Sequence, residues 1–205
     1  MIDEGKLCEL RNKVRGLMGE KRFRHTLGVE KMAKFLAEIL LPLDVMDIRA
    51  AALLHDVAKE IPTEEQLRLA NECEGLTDED KATLPALHSF AAVTLIKRDF
   101  SEFASDKILS AVFKHTLGGE DMSLFDEIIF ISDFIEEGRT YPSCTETREI
   151  LLSEICSSCD LKEKIKSLHR SVVLCIEFTI SFLKQRGMRI NSRTIKTKNA
   201  FLGLI

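Results

Sequence analysis

Four of the five histidines, His25, His55, His88 and His115, together with Asp56 and Asp133, occupy positions where helical spacing calls for an apolar core residue. His25 stands four residues before Val29 and seven before Met32. His55 falls in the series Ile48, Ala51, Ala52, His55, Ala58, with Asp56 beside it. His88 follows Leu84 and leads to Ala91, Ala92 and Leu95; His115 completes Ile108, Ala111 and Val112; Asp133 continues Met122, Phe125, Asp126, Ile129 and Phe130. Taken singly, an inward histidine is more often a hydrogen-bonded core residue than a ligand, and a His-Asp dipeptide arises readily by chance. Six such groups from five helices carry a different cost, because each unpaired buried imidazole or carboxylate is penalised or driven neutral. A shared metal ion is the simplest partner. His169, next to Arg170 at the edge of its stripe, lacks the inward position and serves as the contrast.

The elements that must position these groups are all helical; no stretch alternates cleanly enough to be a strand. Val29, Met32, Ala33, Leu36, Ala37 and Leu40 make one stripe, and Ile48, Ala51, Ala52 and Ala58 a second, with Asp44 as its expected N-cap. Thr63 with Gln66 reads as a capping box, as does Ser123 with Asp126 ahead of the apolar run FDEIIFISDF. Residues 71–81 read as an acidic loop with at most a short turn, followed by a helix over 84–98. A further helix spans 106–115, capped by Ser105 and ended by Gly118 and Gly119, and Gly138 ends the helix that carries Asp133. Helices over 146–153 and 161–184 complete an all-α fold. Residues 1–185 are expected to form one domain, with a basic tail, 186–205, packed on it or solvated.

Composition narrows the function. The 205 residues include 45% apolar and 30% charged residues with 4 Pro and 10 Gly, which describes a packed globular chain. Lys plus Arg number 29 and Asp plus Glu 33, a net charge of −4, so no general attraction to nucleic acid or to anionic membranes is expected. No apolar run approaches the roughly 20 residues of a membrane span. Acids stand in the first residues where a signal peptide would carry positive charge, giving a cytoplasmic expectation. The six cysteines are scattered and read as reduced thiols; Cys156 and Cys159 form one C-x-x-C, too few ligands for a zinc site.

The order His25, His55-Asp56, Asp133 resembles the H…HD…D pattern of HD-domain metal-dependent phosphohydrolases, and His88 and His115 between them resemble the binuclear subset. The strings RHTLGVEKMA, AALLHDVAKE, LHSFAAV, AVFKHTLGGEDMSLFDEIIFISDFIEEGR and INSRTIKTKN are similar, in order and spacing, to the YqeK-type HD hydrolases. Glu120 and Asp121 depart from the basic residue and proline usual in that loop, and Ser132 from the usual alanine. The resemblance implies an HD fold, a di-iron centre and hydrolysis of diadenosine tetraphosphate into two ADP. Neighbouring alternatives are an HD hydrolase of a deoxynucleoside monophosphate or a guanosine polyphosphate; from another class comes a non-catalytic nucleotide sensor.

Imidazole with carboxylate suits iron, manganese, cobalt or zinc better than magnesium or calcium. Six ligands exceed the needs of one ion with an open position. Two ions about 3.5 to 4 Å apart can share them, bridged by Asp56 and a water-derived hydroxide. His25, His55, Asp56 and Asp133 are assigned to one, and Asp56, His88 and His115 to the other. Lys59, three residues beyond Asp56, and Arg139, beyond Asp133, are the expected phosphate cations, against the plainer role of neutralising helix C-termini. Thr116 and Gly118 are candidates to line the phosphate path, and Glu136 to support Lys59 or a ligand histidine. The expected partner is a dinucleoside polyphosphate or another small nucleotide; a homodimer is compatible with the sequence.

Overall fold

The computed structural model describes residues 1–205 and contains eleven α-helices and no strand: α1 Glu4–Arg15, α2 Glu20–Leu40, α3 Val45–Leu54, α4 Thr63–Asn71, α5 Asp78–Ala82, α6 Leu87–Asp99, α7 Asp106–Lys114, α8 Leu124–Ile135, α9 Pro142–Ser157, α10 Leu161–Gln185 and α11 Ser192–Leu202. No helix is long and apolar enough to cross a membrane. The α2 stripe from Val29 to Leu40 is buried and packs on α3 and α8. Residues 48–54 of α3 are buried on every side, and α8 is buried over nearly its whole circumference, as helices enclosed by others must be. α7 bridges α3, α6 and α8; α4 lies on α6; α9, α10 and α11 close the far side. One apolar core runs from Leu7 to Phe201, and truncating a fully buried member such as Leu36 to Ala is expected to cost about 2–5 kcal/mol.

Local chemistry explains where several elements begin, and corrects some expectations. Ser123 and Asp126 do form a reciprocal capping box. Thr63 and Gln66 do not: Pro62 caps α4, and the Gln66 amide donates instead to the carbonyls of Lys59 and Ile61, closing the preceding turn. Asp44 and Ser105 precede α3 and α7 without a capping bond from their side chains; the Asp44 carboxylate is drawn off by Lys107. The acidic segment expected to be loop contains α5, held by a Thr77–Asp80 capping box, and residues 84–86 are a 3-10 turn before α6 begins. α8 stops at Ile135, ahead of Gly138, because Glu136 turns out of the helix and its carboxylate accepts from the Gly138 N–H at 2.6 Å.

The basic tail is docked. Asn191 caps α11 and also donates to Asp80, whose carboxylate pairs with Arg193 at 2.7 Å; Arg189 reaches Glu79. Acidic α5 and the tail therefore neutralise one another. Gly118, at φ +77°, lies against Thr197 of α11, whose side chain would meet a Cβ there at 2.7 Å.

Candidate metal centre

His55 and His115 each stand immediately after the last residue of a helix, α3 and α7, where carbonyls lack intrahelical donors. Each ring meets that need in the same way: Nδ1 of His55 lies 2.6 Å from the Ala52 carbonyl and Nδ1 of His115 lies 2.7 Å from that of Val112. The proton is thereby placed on Nδ1, and both Nε2 lone pairs point inward. His25 Nδ1 is matched to Glu136 Oε1 at 3.1 Å, which frees its Nε2 likewise. Glu136 reaches α2 only because residue 28 is glycine; a Cβ there would lie 2.3 Å from Oε2. Of the roles expected for Glu136, the structure supplies the contact to His25, not to Lys59.

The six inward side chains converge. His25 Nε2 is 2.9 Å from Asp133 Oδ1 and 3.8 Å from Asp56 Oδ2; His55 Nε2 is 3.4 Å from Asp56 Oδ2 and 3.9 Å from Asp133 Oδ1. On the other side, His88 Nε2 is 3.2 Å and His115 Nε2 3.8 Å from Asp56 Oδ1, with the two ring nitrogens 3.1 Å apart. Asp56 thus turns one oxygen to each group. His25, His55 and Asp133 form one set whose ligand atoms lie within 4.8 Å of one another, and Asp56, His88 and His115 form a second. His55, Asp56, His88 and His115 are buried, whereas His25 and Asp133 are half-buried.

Buried Nε2 atoms of His25 and His55 have no hydrogen-bond partner. With their protons committed to Nδ1, these nitrogens face carboxylate oxygens acceptor to acceptor, an arrangement that a proton or a metal cation must resolve. Nitrogen and oxygen donors 3 to 4 Å apart are also the separations expected around an ion bonded at about 2.0–2.2 Å. The residues present therefore fit divalent metal.

The charges agree. Burial pushes the Asp56 carboxyl up, but the His55 charge and the bonds from His115, His55 and His88 outweigh it and hold it well below the usual carboxylate range. Burial likewise opposes Asp133, which His25, Arg139 and His55 nonetheless keep ionised. Burial depresses His55, yet the charge and hydrogen bond of Asp56 raise it above its ordinary value. For His88 burial wins, and its pKa falls to about 4.

Around this centre stand the cations. Lys59 lies in the turn after α3, not on a continuing helix, with Nζ 3.1 Å from His88 Nδ1; burial lowers its pKa. Arg139 donates to Asp133 Oδ1 at 2.7 Å, and that charge raises its pKa against the effect of burial. Sequence reasoning passed over Arg22, which donates to Asp56 Oδ2 at 2.7 Å. It stands one turn before His25, a spacing that could have flagged it, but a basic residue in the KRFRH run reads by default as solvated. Thr116 Oγ1 is 3.3 Å from His88 Nε2. Gly118 is buried against Thr197 and presents no open backbone. Asp121 pairs with Lys114, and Ser132 Oγ is buried without a partner. His169 bonds Glu127 at 2.8 Å away from the six, and all six cysteines are free thiols.

The HD domain model matches residues 22–138, which span His25 through Asp133. The chain belongs to the HD-domain family. Divalent metal binding follows from that membership and accords with the two His/Asp sets. This HD protein is 27% identical to a symmetrical bis(5'-nucleosyl)-tetraphosphatase of Halalkalibacterium halodurans over 98% of both chains. It is 26% identical to a protein of the same name from Staphylococcus aureus over 89% of this chain and 87% of that one. Its fold matches the crystal structure of an HD superfamily hydrolase from Clostridium acetobutylicum, described as involved in NAD metabolism, with a TM-score of 0.81, 29% identity and 99% of both chains covered.

Proposed function

We propose that this HD protein hydrolyses dinucleoside polyphosphates symmetrically, cleaving diadenosine tetraphosphate into two ADP. The observation that carries the reading is Asp56 set between two histidine groups, with cations on both flanks, in a chain whose full-length relatives bear that activity in their names. His25, His55, Asp56 and Asp133 would hold one divalent transition-metal ion and Asp56, His88 and His115 a second, with iron favoured and manganese or cobalt as alternatives. Such ions lower the pKa of a water and neutralise the attacked phosphoryl group. The protein's own part is positional. His55 and His115 are fixed by helix-end carbonyls and His25 by Glu136. Arg22 and Arg139 on the Asp133 side, and Lys59 with Thr116 on the His88 side, supply donors to phosphates on either side of the attacked phosphorus, so charge on the leaving group is met as it develops.

Product analysis over a panel of nucleotides, with iron(II) or manganese supplied anaerobically, tests this. Diadenosine tetraphosphate should give ADP alone, with labelled oxygen from water entering one of the two ADP terminal phosphates. ATP plus AMP would overturn symmetric cleavage, and turnover confined to a deoxynucleoside monophosphate or a guanosine polyphosphate would overturn the substrate.

A further inference from the structure

Beside His25 and Arg139 the surface opens into a cavity of about 890 Å³, within the size range of nucleotide-scale ligand sites. Its wall consists of the N-terminal half of α2, the segment between α8 and α9, and Glu60 from the turn after α3. Lining side chains are polar or charged except for one, Tyr141, a residue that is 69% exposed and whose side chain makes no capping bond to α9. Four cations line the same space. Arg22 and Arg139 hold the carboxylates of Asp56 and Asp133, whereas Lys21 and Arg24, one helical turn apart, are exposed and enter no ion pair. The three lining glutamates are all engaged: Glu60 accepts from the Gly19 N–H, Glu136 from His25 and Gly138, and Glu137 from Lys31.

The cavity thus offers one aromatic face and unpaired positive charge, leading to the half-buried side of the metal-binding cluster. A nucleobase needs the first, and a diphosphate needs the second. Asp56, His88, His115, Lys59 and Thr116 do not line it, so it serves one side of the centre only.

We infer that this cavity is a nucleoside-diphosphate subsite, with the base stacked on Tyr141 and the phosphates running along Lys21 and Arg24 toward His25. The inference rests on the proposed dinucleotide reading and adds that the two halves of a symmetric substrate are held unequally. One half has a stacking platform, and the other is held through its phosphates. Because every base has a π-face, stacking without an edge-reading pocket accepts adenine and guanine alike.

The chain contains one tyrosine and no tryptophan, so its intrinsic emission reports Tyr141 alone. Titration with ADP, and separately with GDP, should quench that emission saturably, after correction for absorbance against free tyrosine amide. Inorganic tripolyphosphate, which engages the cations without a base, should not. Calorimetry should give one ADP per chain, and the double variant Lys21→Ala/Arg24→Ala should weaken that binding and reduce its salt dependence. Tyr141→Ala should raise KM for the dinucleotide roughly tenfold with a much smaller change in kcat, and Tyr141→Phe should restore it. The side chain is at the surface, so its loss leaves the core intact. Saturable ADP binding with no change in emission, or an unaltered KM in Tyr141→Ala, would overturn the subsite even if two ADP are the products. Conversely, quenching by ADP together with failure to cleave diadenosine tetraphosphate would leave the subsite standing and remove the proposed reaction.

Discussion

His55 and His115 end their helices with the same bond to a carbonyl three residues back, yet they belong to sets with different surroundings. The His55 set shares His25 and Asp133, both half-buried, with His25 bordering the cavity and arginines on the carboxylates of Asp56 and Asp133. The His115 set shares His88 and Asp56, all buried, with Lys59 folded over the His88 ring. Identical ligand chemistry is thus given one half-buried and one fully buried set. The difference teaches that access, not donor type, distinguishes the two positions. The His25 side can receive substrate from the cavity, while on the other side burial pushes the His88 pKa down to about 4.

The comparison breaks most completely at Asp56, which serves both sides. Asp56→Ala should strip metal from both sets and lower turnover beyond the roughly 10²–10³-fold that one lost electrostatic contact costs, as elemental analysis and kinetics on the same preparation would show. His169→Ala, away from both sets, should leave metal content and turnover close to wild type. If the two variants lost turnover equally while remaining folded, the assignment of ligands would fail.

Next in size are the flanking cations. Lys59→Ala and Arg139→Ala should each retain metal and lose turnover by about 10²-fold, through charge missing from opposite sides of the phosphate chain. Metal loss in Arg139→Ala would instead make its bond to Asp133 structural.

Glu136→Ala should act on the His25 side only. Removing the acceptor for His25 Nδ1 frees the ring to rotate, and a loss of about 10–100-fold in metal affinity is expected at that position, with the His88 side unchanged. Stepwise metal titration distinguishes the two. Gly28→Ala is predicted to have a similar effect, by pushing Glu136 away.

The smallest effect is on the pH dependence of the metal-free protein. The His88 pKa is depressed when folded, so the unfolded chain binds more protons between about pH 6.5 and about pH 4, and stability from this group falls as pH drops through that window. His55 is shifted the other way, and its contribution is present at acid pH and lost as pH rises through its raised folded pKa. Denaturant unfolding of His88→Gln against wild type should show the acid-side loss flattened, whereas His55→Gln should leave that window unchanged and abolish the gain in stability as pH falls from the raised folded pKa toward about 6.5.

Much of this centre was legible in the chain. Helical period placed His25, His55, His88, His115, Asp56 and Asp133 inward because helical residues three and four apart share a face, and a polar residue on an apolar face is conspicuous. Helix ends were less legible. Gln66 and Asp44 had the right types for capping, but a carbonyl turn and Lys107 competed for them from outside the local window. Arg22 and Tyr141 were missed for a related reason: a basic residue in a first turn and an aromatic in a loop are unremarkable until the surface they share is known.

What the sequence determined by itself was the core helices that carry the site, α2, α3, α6, α7 and α8, and the six residues that could not be buried alone, since both follow from local spacing and the cost of desolvation. Tertiary structure decided which oxygen of Asp56 faces which histidines, that α11 and its basic residues close over α5, and that the His25 side of the centre borders the charged cavity. Those are relations between segments as much as 113 residues apart, such as Arg193 and Asp80. No periodicity within a helix encodes them, because they depend on how the helices pack and not on how each one winds.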